Sequence, residues 1–232
     1  VTTSATQVSR FQLIDGVRGF AVWLMIIFHI TYDLKTFGFN QIDFQEDVFW
    51  WFLPRFIVFL FLICAGMSSY LSNQHGIIWQ RFWPRLLKIS VGALIISIST
   101  YLLFPRHWIY FGTLHCIALC AVASLPLIKR PFLSLVLALA LLLPTLFGFK
   151  FWWPQLPFKS LDYIPFLPWF GVMCLGIFAG YLFEKTQYLK NIKLASRFFK
   201  IMLVSGQQSF WIYLLHQPII YGTLWLFFSQ RS

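Results

Sequence analysis

Long apolar runs separated by short polar segments organise the whole chain. Runs of spanning length fall at about 17–34, 49–71, 86–104, 109–128, 132–149, 169–183 and 208–228, and a helix of about 20 apolar residues is what a ~30 Å hydrocarbon core requires. The pattern predicts an all-α, polytopic integral membrane bundle of about seven transmembrane helices, 169–183 being the shortest.

Charges between the runs alternate in a way that tests this division. Arg10 and Arg18, then Arg81, Arg85 and Lys88, then Lys129 and Arg130, then Lys185, Lys190, Lys193, Arg197 and Lys200 fall on one side. The other side carries Lys35, Arg106, Lys150, Lys159 and Arg231 together with Asp33, Asp43, Glu46, Asp47 and Asp162. The positive-inside rule then puts the N-terminus in the cytoplasm and the C-terminus outside. A net charge of +11 describes this topology and calls for no nucleic-acid partner. With 59% hydrophobic and 11% charged residues in 232, the chain has too little polar surface for a soluble globule. No cleavable signal peptide is expected, because the first run is too long and lacks a small-residue cleavage pattern; it reads as the first span. Cys64, Cys116, Cys120 and Cys174 all fall in predicted spans, and Cys116 with Cys120 at i, i+4 reads as two packing residues rather than a metal or redox pair. No soluble insert or repeat interrupts the pattern, so residues 1–232 read as one domain, and an inverted-repeat transporter gains no support.

Polar residues inside the spans carry the candidate chemistry. Arg18 and His29 share one helical face, since eleven steps of ~100° return to within about 20° of the start and climb ~16 Å. A charged side chain at the bilayer centre costs ~2.5–3.5 kcal/mol or more, so intramembrane ionisable groups face a bundle interior or a watery cavity. His29, His115 and His216 occupy the first, fourth and seventh predicted spans, at depths that allow one shared cavity. Each alone is equally well explained as a neutral imidazole bonded to a neighbouring helix. Asp33 follows His29 at i+4, within reach of its ring, where a carboxylate would fix the tautomer of a general base; a plain interfacial cap explains it as well. Pro218, two residues after His216, frees the Leu214 carbonyl and is expected to kink the last helix.

At the cytoplasmic boundary Arg18, Arg85 and Lys88 either anchor helices or hold a phosphate-bearing ligand, with Asp15 placed to steady Arg18. Arg55 is expected to pair with Asp47 or Asp33, or to snorkel to the interface. The aromatic and proline-rich stretch 150–157 should lie in the interface plane and is placed to roof a cavity. The basic stretch 185–200, ending in Phe198 and Phe199, suits a short helix on anionic cytoplasmic lipid.

The segment holding Arg18 and His29 resembles the Arg-x10-His signature of transmembrane acyltransferases, and 209–218, with Ser209, Tyr213, His216 and Pro218, resembles the closing helix of that superfamily. The closer resemblance is to the smaller bacterial family named after the catalytic domain of heparan-α-glucosaminide N-acetyltransferase. Asp15 to Gly19, His29 to Leu34, Arg85 to Lys88, Phe111 to His115 and Asp162 to Trp169 carry it, in order and over nearly the whole chain. The resemblance implies transfer of an acyl group, typically acetyl from acetyl-CoA at the cytoplasmic face, to a hydroxyl or amine of an envelope glycan or lipid-linked acceptor. It implies an integral protein of the bacterial inner membrane. The larger acyltransferases have about ten spans, and the lysosomal enzyme has a luminal domain with no counterpart expected in these 232 residues, so heparan sulfate is not expected to carry over as substrate.

The expected mechanism places CoA phosphates on Arg18, Arg85 and Lys88 and the thioester at His29. His29, oriented by Asp33, acts as general base, and His115 or His216 bonds the thioester oxygen; an acyl-histidine intermediate stays open. Two other readings use the same histidines, a haem-binding redox protein and a small-solute transporter with a proton relay. The sequence leaves the acceptor and the oligomeric state open, a homodimer among the choices.

Overall fold

The computed structural model describes residues 3–186 and 197–228, side chains from residue 12 onward. Among the described residues it contains eight α-helices, α1 (Thr3–Thr36), α2 (Val48–Asn73), α3 (Trp79–Leu103), α4 (Thr113–Ala123), α5 (Pro131–Leu146), α6 (Phe166–Lys185), α7 (Arg197–Gln207) and α8 (Ser209–Phe228). A 3-10 turn at Leu125–Leu127 follows α4, and the described residues hold an isolated bridge between Phe111 and Tyr163 but no strand.

Local chemistry sets the helix ends. Asp47 Oδ1 accepts from the backbone N–H of Phe49 (2.9 Å) and Trp50 (3.2 Å), satisfying two unpaired donors of the first turn of α2. At the end of α1, Gly38 sits at φ +82° while Phe39 N–H reaches back to Leu34 O and Gly38 N–H to Lys35 O. Gly148 (φ +83°) closes α5 in the same way, with Phe149 bonded to Pro144 and Gly148 to Thr145. This Schellman closure needs a left-handed residue, which glycine supplies without a Cβ clash.

Four helical stretches are long and apolar enough to cross a membrane: Gln12–Thr36, Val48–Asn73, Trp79–Leu103 and Phe166–Lys185. They mark the chain as an integral membrane protein. Against the seven expected spans, the fourth and fifth become α4 and α5, of 11 and 16 residues. The run 109–128 shortens because its first residues form a capped loop and Pro126 turns the chain at its far end. The seventh becomes α8, 20 residues rich in Trp and Tyr and carrying His216 and Gln217.

The chain divides into two compact units, with the boundary inside α2 between Phe61 and Leu62. Among the described residues the first unit holds α1, the beginning of α2, α7 and α8. Here α1 packs along α7 and crosses α8. The α1–α7 seam is made of small residues: a methyl group built on Gly19 would overlap the Met202 carbonyl, and one on Gly206 would overlap the Asp15 carbonyl. Main chain therefore lies directly against main chain, the geometry that small residues permit between membrane helices. Trp23 Nε1 donates across the seam to Ser205 Oγ at 3.1 Å. Most of the basic stretch 185–200, expected to lie on anionic lipid, falls outside the described residues; its last residues enter α7, which packs on α1 with Phe199 over Gly16. Phe198, Ile201 and Val204 remain on its exposed side.

In the second unit α6 packs against α5 and α4, and α4 against α3. Gly66 of α2 and Gly176 of α6 meet closely, a Cβ on Gly176 falling 2.6 Å from the Ile63 carbonyl oxygen. Around them Leu62, Cys64, Met173, Cys174 and Ile177 are buried. Cys116 and Cys120 lie 3.8 Å apart as buried free thiols. The stretch 150–157 packs on the loop before α4, with Tyr110 Oη accepting from Leu156 N–H (3.2 Å) and the Trp153 ring 5.4 Å from that of Phe111.

Gly19→Ala is expected to lower the unfolding midpoint of the detergent-solubilised protein by several degrees, since overpacking costs about 1–3 kcal/mol and each kcal/mol is worth roughly 2–4 °C at this size. Gly222, which has nothing within 4 Å of a built Cβ, should accept alanine with no loss. Equal shifts for the two variants in thermal melts would remove the close-packing account of the seam.

Candidate active site

His29 and Asp33 lie one turn apart on the face of α1 that meets α8. Asp33 is 2% exposed, and both its carboxylate oxygens accept from Gln217 Nε2 at 3.1 Å. One turn deeper, the His29 and His216 rings approach to 4.7 Å between centroids at 62°. Phe28 stands edge-on to His29 at 5.4 Å, and Tyr213 lies 5.7 Å from His216. Four polar side chains are thus gathered at one crossing of two apolar helices.

Hydrogen-bond partners fix the character of two of them. His216 Nδ1 is 2.7 Å from the Tyr213 carbonyl oxygen, which can only accept, so the ring carries its proton on Nδ1 and presents a lone pair at Nε2. Gln217 turns its amide nitrogen to Asp33, which leaves its carbonyl oxygen Oε1 as the free end. His216 Nε2, Gln217 Oε1 and His29 Nδ1 are all buried without a hydrogen-bond partner. An unsatisfied buried polar atom costs about 1–3 kcal/mol, and three at one helix crossing point to a binding site.

The arrangement differs from the expected one in a specific way. Asp33 was expected to bond the His29 ring, yet its oxygens go to Gln217 and His29 Nδ1 has no partner. The amide of α8 reaches both oxygens of the carboxylate and satisfies it from across the helix pair. Gln217 had no assigned role in the sequence reading. Its signal was its place directly beside His216. The carbonyl that engages His216 belongs to Tyr213, one residue before the Leu214 carbonyl that Pro218 frees.

His115 belongs to the second unit, and both of its ring nitrogens are engaged there. Ser97 Oγ donates to the Ile109 carbonyl (2.6 Å), so at 3.1 Å it accepts from His115 Nε2–H; Nδ1 in turn accepts from Gly112 N–H at 3.2 Å. The ring joins α3 to the first turn of α4. Asp162 completes that turn, Oδ2 accepting from Thr113 N–H (2.9 Å) and Thr113 Oγ1 (3.1 Å).

The candidate cations are spread over both units. Arg18 is held by Asp15 at 2.8 Å, as their spacing predicts. Arg85 and Lys88 lie one turn apart on α3, both exposed, in the second unit. Arg55 pairs with neither Asp47 nor Asp33; its guanidinium folds back over the Trp51 ring at 3.7 Å and donates to the Trp51 carbonyl.

A family model described as heparan-alpha-glucosaminide N-acetyltransferase, catalytic, matches residues 10–218. The chain belongs to this family. No curated protein and no solved structure matches it. The heparan-alpha-glucosaminide N-acetyltransferase match begins ahead of Arg18, crosses both units and ends at Pro218, so it takes in every site residue described above.

The Asp33–Gln217 contact should appear as coupling in a double-mutant cycle. Asp33→Ala and Gln217→Ala are expected to interact by about 1.5–3 kcal/mol, the range for a hydrogen bond to a charged group, in unfolding of the solubilised protein. Independent, additive losses would contradict the contact. Asp162 makes a separate prediction. Burial raises its carboxyl above the ordinary carboxylate range, opposed by the two Thr113 hydrogen bonds. The native state therefore takes up this proton before the unfolded chain does, so stability from the site is present at low pH and is lost as pH rises through the raised value. Asp162→Asn should flatten that part of a stability-versus-pH curve, and an unchanged slope would exclude Asp162 as its source.

Proposed function

We propose that the chain is a membrane-embedded acyltransferase that moves an acyl group, acetyl in the wording of its family, from acyl-CoA to a hydroxyl or amine of an envelope glycan or lipid-linked acceptor. The observation that carries this reading is the buried pair of imidazoles, His29 and His216, each with an unpartnered nitrogen, at the crossing of α1 and α8. Acyl transfer from a thioester needs a base within hydrogen-bond reach of the attacking group, in a place that limits competing hydrolysis. Two imidazoles buried among Phe28, Tyr213 and apolar helix meet both needs.

His29 is the general base. As the acceptor oxygen or nitrogen attacks the thioester carbonyl carbon, His29 Nδ1 takes its proton. The carbon–sulfur bond then breaks, and the departing CoA thiolate receives a proton from the imidazolium. His216, locked by the Tyr213 carbonyl, stands beside it as a second nitrogen of fixed tautomer. Asp33 acts through Gln217, holding α8 in register so that His216 faces His29. His115, with both nitrogens engaged, serves as a positioning residue for α4.

Arg18, Arg85 and Lys88 are assigned to phosphate groups of the donor, each as a separate contact; Arg offers bidentate hydrogen bonds and Lys a point charge. The charge alternation supports a cytoplasmic N-terminus and an external C-terminus; the bacterial inner-membrane location and the delivery of acetyl-CoA from the cytoplasm follow from the family resemblance. One family match crossing both units supports a single acyltransferase domain.

Purified protein in nanodiscs, supplied with acetyl-CoA and envelope extract, is expected to transfer acetyl to an extract component visible as a mass shift. His29→Ala should lower that transfer by ~10²–10⁴, the usual worth of a general base. His216→Ala should lower it as well. His115→Gln should act chiefly on stability. Transfer within twofold of wild type for both His29→Ala and His216→Ala would sink the assignment.

A further inference from the structure

The first half of α3 stands clear of the rest of its unit. Its buried residues, Gly92, Ala93 and Ser97, begin where it packs on α4, and none of residues 79–91 is buried. Arg81, Arg85 and Lys88 lie on this stretch at i, i+4 and i+7, all exposed, which puts them within ~60° of one another along ~10 Å of the helix axis. Like charges at this spacing repel, and the start of a helix is itself positive. The first turn of α3 holds no acidic residue to offset either effect. Further along, the same face changes character. Val91 and Ile95, i+3 and i+7 from Lys88, continue it as apolar side chains, 45% and 50% exposed. On the opposite side Trp79 and Trp83 stack at 6.0 Å with Phe82 edge-on to both, aromatic rings of the kind that sit at headgroup level in a bilayer.

We infer that the face of α3 formed by Arg81, Arg85, Lys88, Val91 and Ile95 binds one anionic phospholipid, of the phosphatidylglycerol class. A soluble phosphate would use the cations alone. A phospholipid uses the whole face, its anionic head on the three cations and an acyl chain along Val91 and Ile95, with the Trp79–Trp83 stack marking the headgroup level on the far side of the helix. A zwitterionic head fits less well, because it brings its own ammonium against three positive charges. This inference does not depend on the transferase reading above. Donor and lipid take Arg85 and Lys88 in turn, and Arg81 belongs to the lipid alone.

Native mass spectrometry of the full chain in detergent, titrated with phosphatidylglycerol, phosphatidylcholine or inorganic phosphate, tests this. Wild type is expected to hold one phosphatidylglycerol roughly tenfold or more tightly than phosphatidylcholine, and excess inorganic phosphate should not displace it. A cation near the membrane surface is worth about fivefold in affinity for anionic lipid, or ~1 kcal/mol. Arg81→Gln should therefore weaken phosphatidylglycerol about fivefold, and Arg81→Gln with Arg85→Gln and Lys88→Gln about a hundredfold. Arg106→Gln with Lys150→Gln and Lys159→Gln removes as much charge from the other end of the unit and should leave the affinity unchanged. Equal retention of the two lipids, displacement by inorganic phosphate, no change in Arg81→Gln, or equal losses in the two triple variants overturns the inference. Arg81 is exposed near the start of its helix, so the single variant carries the test even where a triple variant fails to fold.

Discussion

A carboxylate buried between two apolar helices has to be satisfied from within the protein, and Asp33 is satisfied by Gln217. Leaving such a group unpaired costs several kcal/mol, which is a large part of any protein's net stability. The bond therefore fixes where α8 stands against α1. Because Gln217 must reach Asp33, the preceding residue falls ~1.5 Å along α8 and ~100° around it, and His216 arrives beside His29. The imidazole pair follows from the carboxylate, even though the two make no direct bond. The tautomer of His216 and the free oxygen of Gln217 follow in the same way, from donors already committed elsewhere.

The second unit solves a related problem with different parts. The start of α4 meets both α3 and a loop, and backbone donors there are taken by Asp162 and by the ring of His115. There is no room for a side chain at Gly112, where a Cβ would come 2.5 Å from Asp162 Oδ2. Histidine thus appears twice at helix junctions with opposite tautomers. The one on α4 has both nitrogens paired, and the one on α8 keeps a nitrogen in reserve. A count of intramembrane histidines does not distinguish these conditions; the identity of the neighbouring acceptor does.

Much of the fold was legible in the sequence because burial in lipid imposes a crude rule. Apolar length located α2 and α6 to within a few residues at both ends, and α1 and α3 at their C-terminal ends. What was not legible depended on three-dimensional neighbours. The 109–128 run gave no sign that a distant aspartate would cap a helix at 113. The seam between α7 and α1 was not legible either, because it is written in glycines, which carry no hydrophobic signal. At the site, His29, Asp33 and His216 stood out as ionisable groups in apolar surroundings. Gln217 did not, since an uncharged amide one residue before a proline is unremarkable until its partner is known. The i+4 spacing of His29 and Asp33 was correctly read as sharing a face, and wrongly extended to a bond.

The α1–α7 seam limits how this protein can change. When two side chains oppose each other across a helix interface, enlargement of one can be accommodated by shrinkage of the other, and paired substitutions keep the fit. At Gly19 and Gly206 what lies opposite is a peptide carbonyl, and no substitution makes a carbonyl smaller. Second-site suppressors of a change there have no complementary residue to arise at. They must come from elsewhere, by letting the helix axes separate, and the register that brings His216 to His29 depends on one of those same axes.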